Sequence, residues 1–179
     1  MFRKAMSISL VVVLFAGASS ALGDRVFPLG SGESVAIPSG SPVQLSSIDR
    51  DSLTAKFSGR FLLTGEAFYE NQGNDNPPDV YIVPDASLVS RLPHWKARSE
   101  PTQISLTNPR SFLGAAIPAL PRSEMRKEGV SVPLGAVSIW ADRYSMTIEC
   151  DSAAYYARFL SVYRPTIRVA KAFNGGGCL

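Results

Sequence analysis

Between Leu53 and Glu70 the chain alternates apolar and polar side chains for longer than anywhere else in its length. Phe57, Phe61, Leu63, Ala67 and Tyr69 share one parity, and Lys56, Arg60, Thr64, Glu66 and Glu70 share the other. A period of two sends successive side chains to opposite faces, so the run predicts a long strand with one buried face. Leu62 and Phe68 interrupt the polar parity. Gly59 and Gly65 lie inside the run, where they supply the bulges or tight bends that let a long strand coil around a small barrel.

The flanking segments supply shorter elements. Asp24 to Asp51 is rich in Ser, Gly and Pro, with apolar pieces at Val35–Ile37 and Val43–Leu45. It predicts a loosely structured lead-in holding one or two short strands. Asn71 to Pro78 reads as a polar loop and Val80 to Val83 as a short buried strand. Asp85 followed by Leu88, Val89 and Leu92 predicts a helix of two turns, capped by the Asp85 carboxylate and stopped by Pro93. Ile104–Leu106 predicts a strand, and Arg122–Glu128 a short exposed helix entered through Pro118 and Pro121. Val130–Val132, Ala136–Ala141 and Tyr144–Cys150 have strand composition, with Asp142 and Arg143 as a tight turn between the last two. Ala153 to Val162 fits both a helical stripe and a strand buried on two faces; its aromatic and branched residues, after a turn at Asp151 and Ser152, favour the strand. Together these elements predict a β-rich α+β domain over residues 52–179. The expected architecture is a small, partly open β-barrel of the OB type with one or two short helices, and a β-sandwich is the alternative.

The amino terminus predicts where such a domain works. Arg3 and Lys4 precede an apolar run, Ile8 to Ala18, which ends in Ala18, Ser19, Ser20 and Ala21. A basic end, a short apolar stretch and small residues for a peptidase make a secretory signal peptide over residues 1–23, cleaved after Ala21 or Gly23. The apolar part is short of the roughly 20 residues that a spanning helix needs, so no membrane span is expected after cleavage. The expected location is periplasmic or extracellular.

Cleavage changes the electrostatics. The whole chain has 18 Lys and Arg against 15 Asp and Glu. Arg3 and Lys4 leave with the leader, so the mature chain retains 16 basic residues and a net charge of +1. Nucleic-acid binding needs a dense basic surface to displace counterions from phosphates, and it is not expected here. Charge is polarised along the chain, with nine acidic and four basic residues from Asp24 to Asp85 and six acidic and twelve basic ones thereafter. Interleaving of the two halves in one fold would mix it.

Export also bears on Cys150 and Cys178, the two cysteines of the chain. An even count in an oxidising compartment predicts a disulfide between them, tying the glycine-rich end at Asn174–Gly177 to the strand carrying Cys150. A redox role would need a lowered thiol pKa, whereas Glu149 and Asp151 flank Cys150 and oppose the thiolate.

The usual catalytic patterns are missing. There is one histidine, His94, beside Trp95; it could act as a general base or stack on a ligand, and a turn after a helix explains it as well. No Gly-x-Ser-x-Gly elbow and no phosphate-cradling glycine motif occurs. Two cysteines and one histidine cannot furnish a usual zinc site. Glu70, Asp75, Asp79 and the amides between them offer oxygens to calcium without a helix-loop-helix spacing. No metal and no cofactor is therefore expected. Aromatic pairs near strand ends point instead to a ligand face, with Trp140, Tyr144, Tyr155 and Arg158 as candidate binding residues. The expectation is a non-catalytic exported module that binds an unknown protein or small ligand of the cell envelope. The alternative is a hydrolase using Asp142, Glu149 or Asp151 as acid and base, with Arg143 or Arg158 as an anion clamp.

Overall fold

The alternating run folds as two strands separated at Gly59 and Arg60, in a computed structural model that describes residues 23–29, 32–71, 73, 78–98, 100–116 and 131–164. The strands are β1 (Arg25–Pro28), β2 (Ser34–Ile37), β3 (Gln44–Asp49), β4 (Thr54–Ser58), β5 (Phe61–Glu70), β6 (Asp79–Pro84), β7 (His94–Trp95), β8 (Ile104–Leu106), β9 (Ser131–Glu149) and β10 (Ser152–Arg164). Helix α1 (Ala86–Val89) follows β6 and α2 (Pro109–Ala116) follows β8. The leader, the predicted helix at Arg122–Glu128 and Cys178 lie outside the described residues, as does most of the Asn71–Pro78 loop.

Five strands join in a ring. β5 pairs antiparallel with both β6 and β9, β6 pairs antiparallel with β8, and β9 pairs antiparallel with β10. A parallel contact between β8 and β10 completes the circuit. Hairpin β3–β4 continues the sheet along β9, with β4 pairing Thr54–Lys56 against Ser145–Thr147. β1, β2 and β7 form a separate three-stranded sheet. Fully buried Phe61, Leu63, Ile82, Ile104, Ile139 and Tyr144 contribute to the one core cluster that these strands enclose. β-Rich architecture with two helices and a ring of strands thus matches the coarse expectation.

Gly65 shows why glycine is needed inside β5. Its φ is +155°, and a Cβ placed there would stand 2.0 Å from the carbonyl oxygen of Val83 and 2.9 Å from Cα of Pro84. Both are backbone atoms of the neighbouring β6, so only a residue without Cβ permits this approach.

Several local expectations are corrected. The three strand pieces after residue 130 are one strand, and the predicted turn at Asp142–Arg143 is a bulge: Ser145 pairs with Tyr156 and Asp142 with Arg158, so β9 carries one extra residue there. Arg143, at φ +50°, absorbs it. The tight turn comes later, where Cys150 (φ +46°) and Asp151 (φ +64°) form the two-residue link from β9 to β10. Two positive φ angles in succession are the twist that suits a two-residue hairpin. Two further bulges, now in β10, leave Leu160 and Tyr163 as the extra residues and both exposed.

α1 is a single turn, and the Asp85 carboxylate makes no capping bond. Its main-chain carbonyl instead accepts from the N–H groups of Leu88 and Val89. The segment 24–51 holds three strands, and Val35, Ile37 and Val43 join the core. Its breakers occupy turns between strands, as where Ser41 N–H donates to the Pro38 carbonyl around Gly40 at φ +76°. α2 was not anticipated by periodicity. It begins at Pro109, whose missing N–H costs nothing in a first turn, and buries Phe112.

Candidate functional site

The β9–β10 hairpin and the approach to β8 frame a surface depression. β8 meets β10 at Tyr156 and Ala157, while the chain leading into β8 diverges from the start of β10. Between them lie two adjoining cavities of about 350 and 320 Å³, sharing Thr102, Ser152, Ala153 and Tyr155 in their walls. Asp79, Ser105, Glu149 and Tyr156 line the second; Arg98, Glu100 and Asp151 line the first.

Asp79, Ser105, Glu149 and Tyr156 are each held from a strand. The Tyr156 hydroxyl donates to Oε1 of Glu149 at 2.8 Å, and Ser105 Oγ donates to Oδ2 of Asp79 at 3.1 Å. The other oxygens of both carboxylates have no protein partner among the described residues. Ionised carboxylates can accept several hydrogen bonds each, so both retain acceptor capacity facing the groove. Arg98 is already engaged: Nε and Nη2 donate to Oε1 of Glu33 at 3.1 and 2.7 Å, and Nη1 donates to the Asp151 carbonyl. Among the described residues, four carboxylates therefore line the groove against one arginine that is itself paired with a fifth.

Burial dominates the tyrosine acidities. It pushes Tyr156 up to about 12, helped by the hydrogen bond to Glu149, and pushes Tyr155 up to about 12. Burial also drives Tyr144 well above the ordinary value. A folded-state pKa above the unfolded value of 10 stabilises the fold fully below pH 10, and that contribution is lost as pH rises from 10 through 12. Alkaline titration followed by circular dichroism is thus expected to show unfolding in that window, together with delayed tyrosinate absorbance. Normal ionisation of all six tyrosines near pH 10 with the fold intact would refute this.

The residues singled out from sequence separate in space. Tyr155 lines the groove. Tyr144 is fully buried, with its hydroxyl donating to the Pro93 carbonyl at 2.8 Å. Arg158 is occupied on the outside of β10: Nε and Nη2 reach the two oxygens of Asp142 at 2.8 and 2.6 Å. This contact holds the Asp142 carboxyl below its usual range. Trp140 stands beside Tyr163, ring centroids 5.7 Å apart and edge to face, with the Arg60 guanidinium 4.4 Å over its ring.

Asp142 and Glu149 are seven positions apart on one strand, roughly 23 Å at the usual rise per residue. The acid, base and clamp imagined from Asp142, Glu149, Asp151, Arg143 and Arg158 are not assembled together. His94 sits on β7 with Nδ1 3.2 Å from the Leu92 carbonyl. Glu70 and Asp79 pair across the β5–β6 hairpin, and no three His, Cys, Asp or Glu side chains among the described residues form a metal-holding group. Cys150 is exposed with a free thiol.

Sequence reading missed Asp79, Ser105 and Tyr156 as one group. Their positions converge only through the β6–β8 and β8–β10 registers, Tyr81 with Ser105 and Ser105 with Tyr156. The strand alternation of Tyr156 with buried Tyr155 was the one local signal. No protein-family model, no curated protein and no solved structure matches the chain.

Proposed function

We propose that the mature chain is an exported, non-catalytic binding module built on an OB-type barrel, and that the groove beside the β9–β10 hairpin takes a basic segment of a protein partner. Counting only ring strands, β5, β6, β8, β9 and β10 are first to fifth, and their order around the ring is first, second, third, fifth, fourth. OB barrels bind ligands across the second and third strands and the loops joining first to second and fourth to fifth. In this chain β6 and β8 are the second and third strands and Cys150–Asp151 is the turn from fourth to fifth, and all three contribute residues to the groove.

The observation that carries the ligand class is the free acceptor capacity of Asp79 and Glu149 in one cavity, flanking the Tyr156 hydroxyl. Ammonium and guanidinium groups are donors only and complement such a wall. Phosphate-bearing ligands would meet like charge, which opposes nucleic acid despite the barrel type. Asp142, engaged by Arg158 further along β9, stands apart from the groove-lining carboxylates.

Titration of the isotope-labelled protein with tri-lysine at low salt is expected to shift amide resonances of Asp79, Ser105, Glu149 and Tyr156. Asp79→Asn with Glu149→Gln should weaken that binding about tenfold or more, as loss of charge-assisted contacts of roughly 1.5–3 kcal/mol implies. Equal binding of tri-glutamate, or full affinity in the double variant, would overturn the assignment.

A further inference from the structure

We propose that the outer surface of the ring around Trp140 and Tyr163 docks on an anionic lipid bilayer, which it meets through two arginines stacked on those rings. The inference stands apart from the groove and its ligand.

Strand parity puts the patch outside. Trp140 lies between the buried Ile139 and Ala141 and so points away from the core. Across β9 it pairs with Ser161 of β10 and with Leu62 of β5, which is itself flanked by buried Phe61 and Leu63. The β10 bulges add Leu160 and Tyr163, 38% and 46% exposed. Three adjacent strands thus place Leu62, Trp140, Leu160 and Tyr163 outside the ring.

The rings hold the cations. The Arg60 guanidinium lies 4.4 Å from the centroid of Trp140, Tyr163 meets Trp140 edge to face at 5.7 Å, and the Arg164 guanidinium stands 5.5 Å from the centroid of Tyr163. Neither arginine has a carboxylate or hydrogen-bond partner among the described residues. A stacked guanidinium keeps its N–H groups at its edge, where they can fork onto phosphate oxygens. With Arg60 over one face of Trp140, that face takes no flat ligand and serves as a shelf for the cation.

Charge selects the occupant. Asp142, two positions along β9 from Trp140, is already engaged by Arg158 at 2.8 and 2.6 Å, so Arg60 and Arg164 leave the patch positive. An anionic leaflet attracts such cations. Trp and Tyr are the side chains that settle at a headgroup boundary, where one end is apolar and the other wet. The groove carboxylates do not cancel the attraction. Tyr156 and Arg164 are eight positions apart on β10, roughly 25 Å at the usual rise, against a screening length of about 8 Å in physiological salt.

The chain has two tryptophans, and Trp95 is fully buried, so quenching by acyl-brominated lipid reports Trp140. Brominated vesicles of phosphatidylcholine with one-third phosphatidylglycerol should quench this emission and move it to the blue at low salt, whereas brominated phosphatidylcholine alone should not. Arg60→Gln with Arg164→Gln, its fold checked by circular dichroism, should weaken partitioning roughly thirtyfold, because each cation at an anionic leaflet contributes about fivefold. A Trp140→Phe variant should abolish the signal. Equal binding to both vesicle types, adsorption that leaves Trp140 unquenched, or undiminished partitioning of the double variant would overturn the proposal. So would a tighter response of Trp140 to hexaglutamate than to anionic vesicles, which would assign the surface to an acidic protein segment. The tri-lysine titration of the groove is unaffected by any of these results.

Discussion

Gly65→Ala is expected to lower the stability of this domain by about 4 kcal/mol, through backbone collision and strained backbone together. The added methyl would occupy the position of the Val83 carbonyl oxygen, 2.0 Å away, with Cα of Pro84 at 2.9 Å. No side-chain rotation relieves a clash between two main chains. β5 and β6 would have to part along a pairing that runs from Gly65–Pro84 to Glu70–Asp79, and β5 is also the partner of β9. Small domains have only about 5–15 kcal/mol in total, so the loss removes roughly a quarter or more of it. Gly114→Ala is the matched control. It lies in α2 with nothing within 4 Å of the new methyl, and alanine there should stabilise by ~0.5–1 kcal/mol. Urea denaturation read by circular dichroism measures both. A Gly65→Ala protein within about 1 kcal/mol of wild type would show that β6 yields easily, against the packing described.

Tyr144 separates core from ligand face with comparable force. Its ring meets Phe57, Phe61 and Tyr155 at centroid distances of 5.6, 6.0 and 6.4 Å. Tyr144→Ala should cost about 4 kcal/mol, as other large aromatic truncations in cores do. Tyr144→Phe retains the ring and removes only the hydroxyl, leaving the Pro93 carbonyl without its 2.8 Å donor; it should cost about 1–3 kcal/mol. Thermal melts rank the two. The Phe variant should still bind tri-lysine as wild type does, and a large loss of binding at unchanged stability would return Tyr144 to the ligand face.

The contrast between Tyr144 and Tyr156 shows what sequence could reveal. The alternation in 54–70 identified buried Phe57, Phe61, Leu63, Ala67 and Tyr69 correctly, because one-faced burial leaves a period of two in a single strand. β9 hid its continuity, since a bulge at Arg143 reverses the parity halfway and makes a long strand read as pieces. Composition could say that Tyr144 and Tyr155 were strand aromatics but not that both point inward. The groove was illegible for a different reason. Asp79, Ser105, Glu149 and Tyr156 come from four strands, and only a parallel pairing that skips β9 in sequence brings them together. α2 escaped because its eight residues are too few for a clear helical stripe.

The parallel contact of β8 with β10 is a short stretch of the ring. It rests on two register pairs, the Thr107 N–H bond to the Ala157 carbonyl at 2.9 Å, and the Asn108 amide. The Asn108 side chain accepts from Phe159 N–H at 2.8 Å and donates to the Phe159 carbonyl at 2.9 Å, standing in for a backbone neighbour that β8 does not supply. β9 is stitched to β5 and β10 over much longer antiparallel runs, and the β6–β8 pairing is as short as this one. Local openings begin where the fewest bonds must be undone, so amides along this junction should exchange with deuterium before those of β5 and β9. The ring behaves as a clasp, with β9 as its spine and one asparagine as its catch.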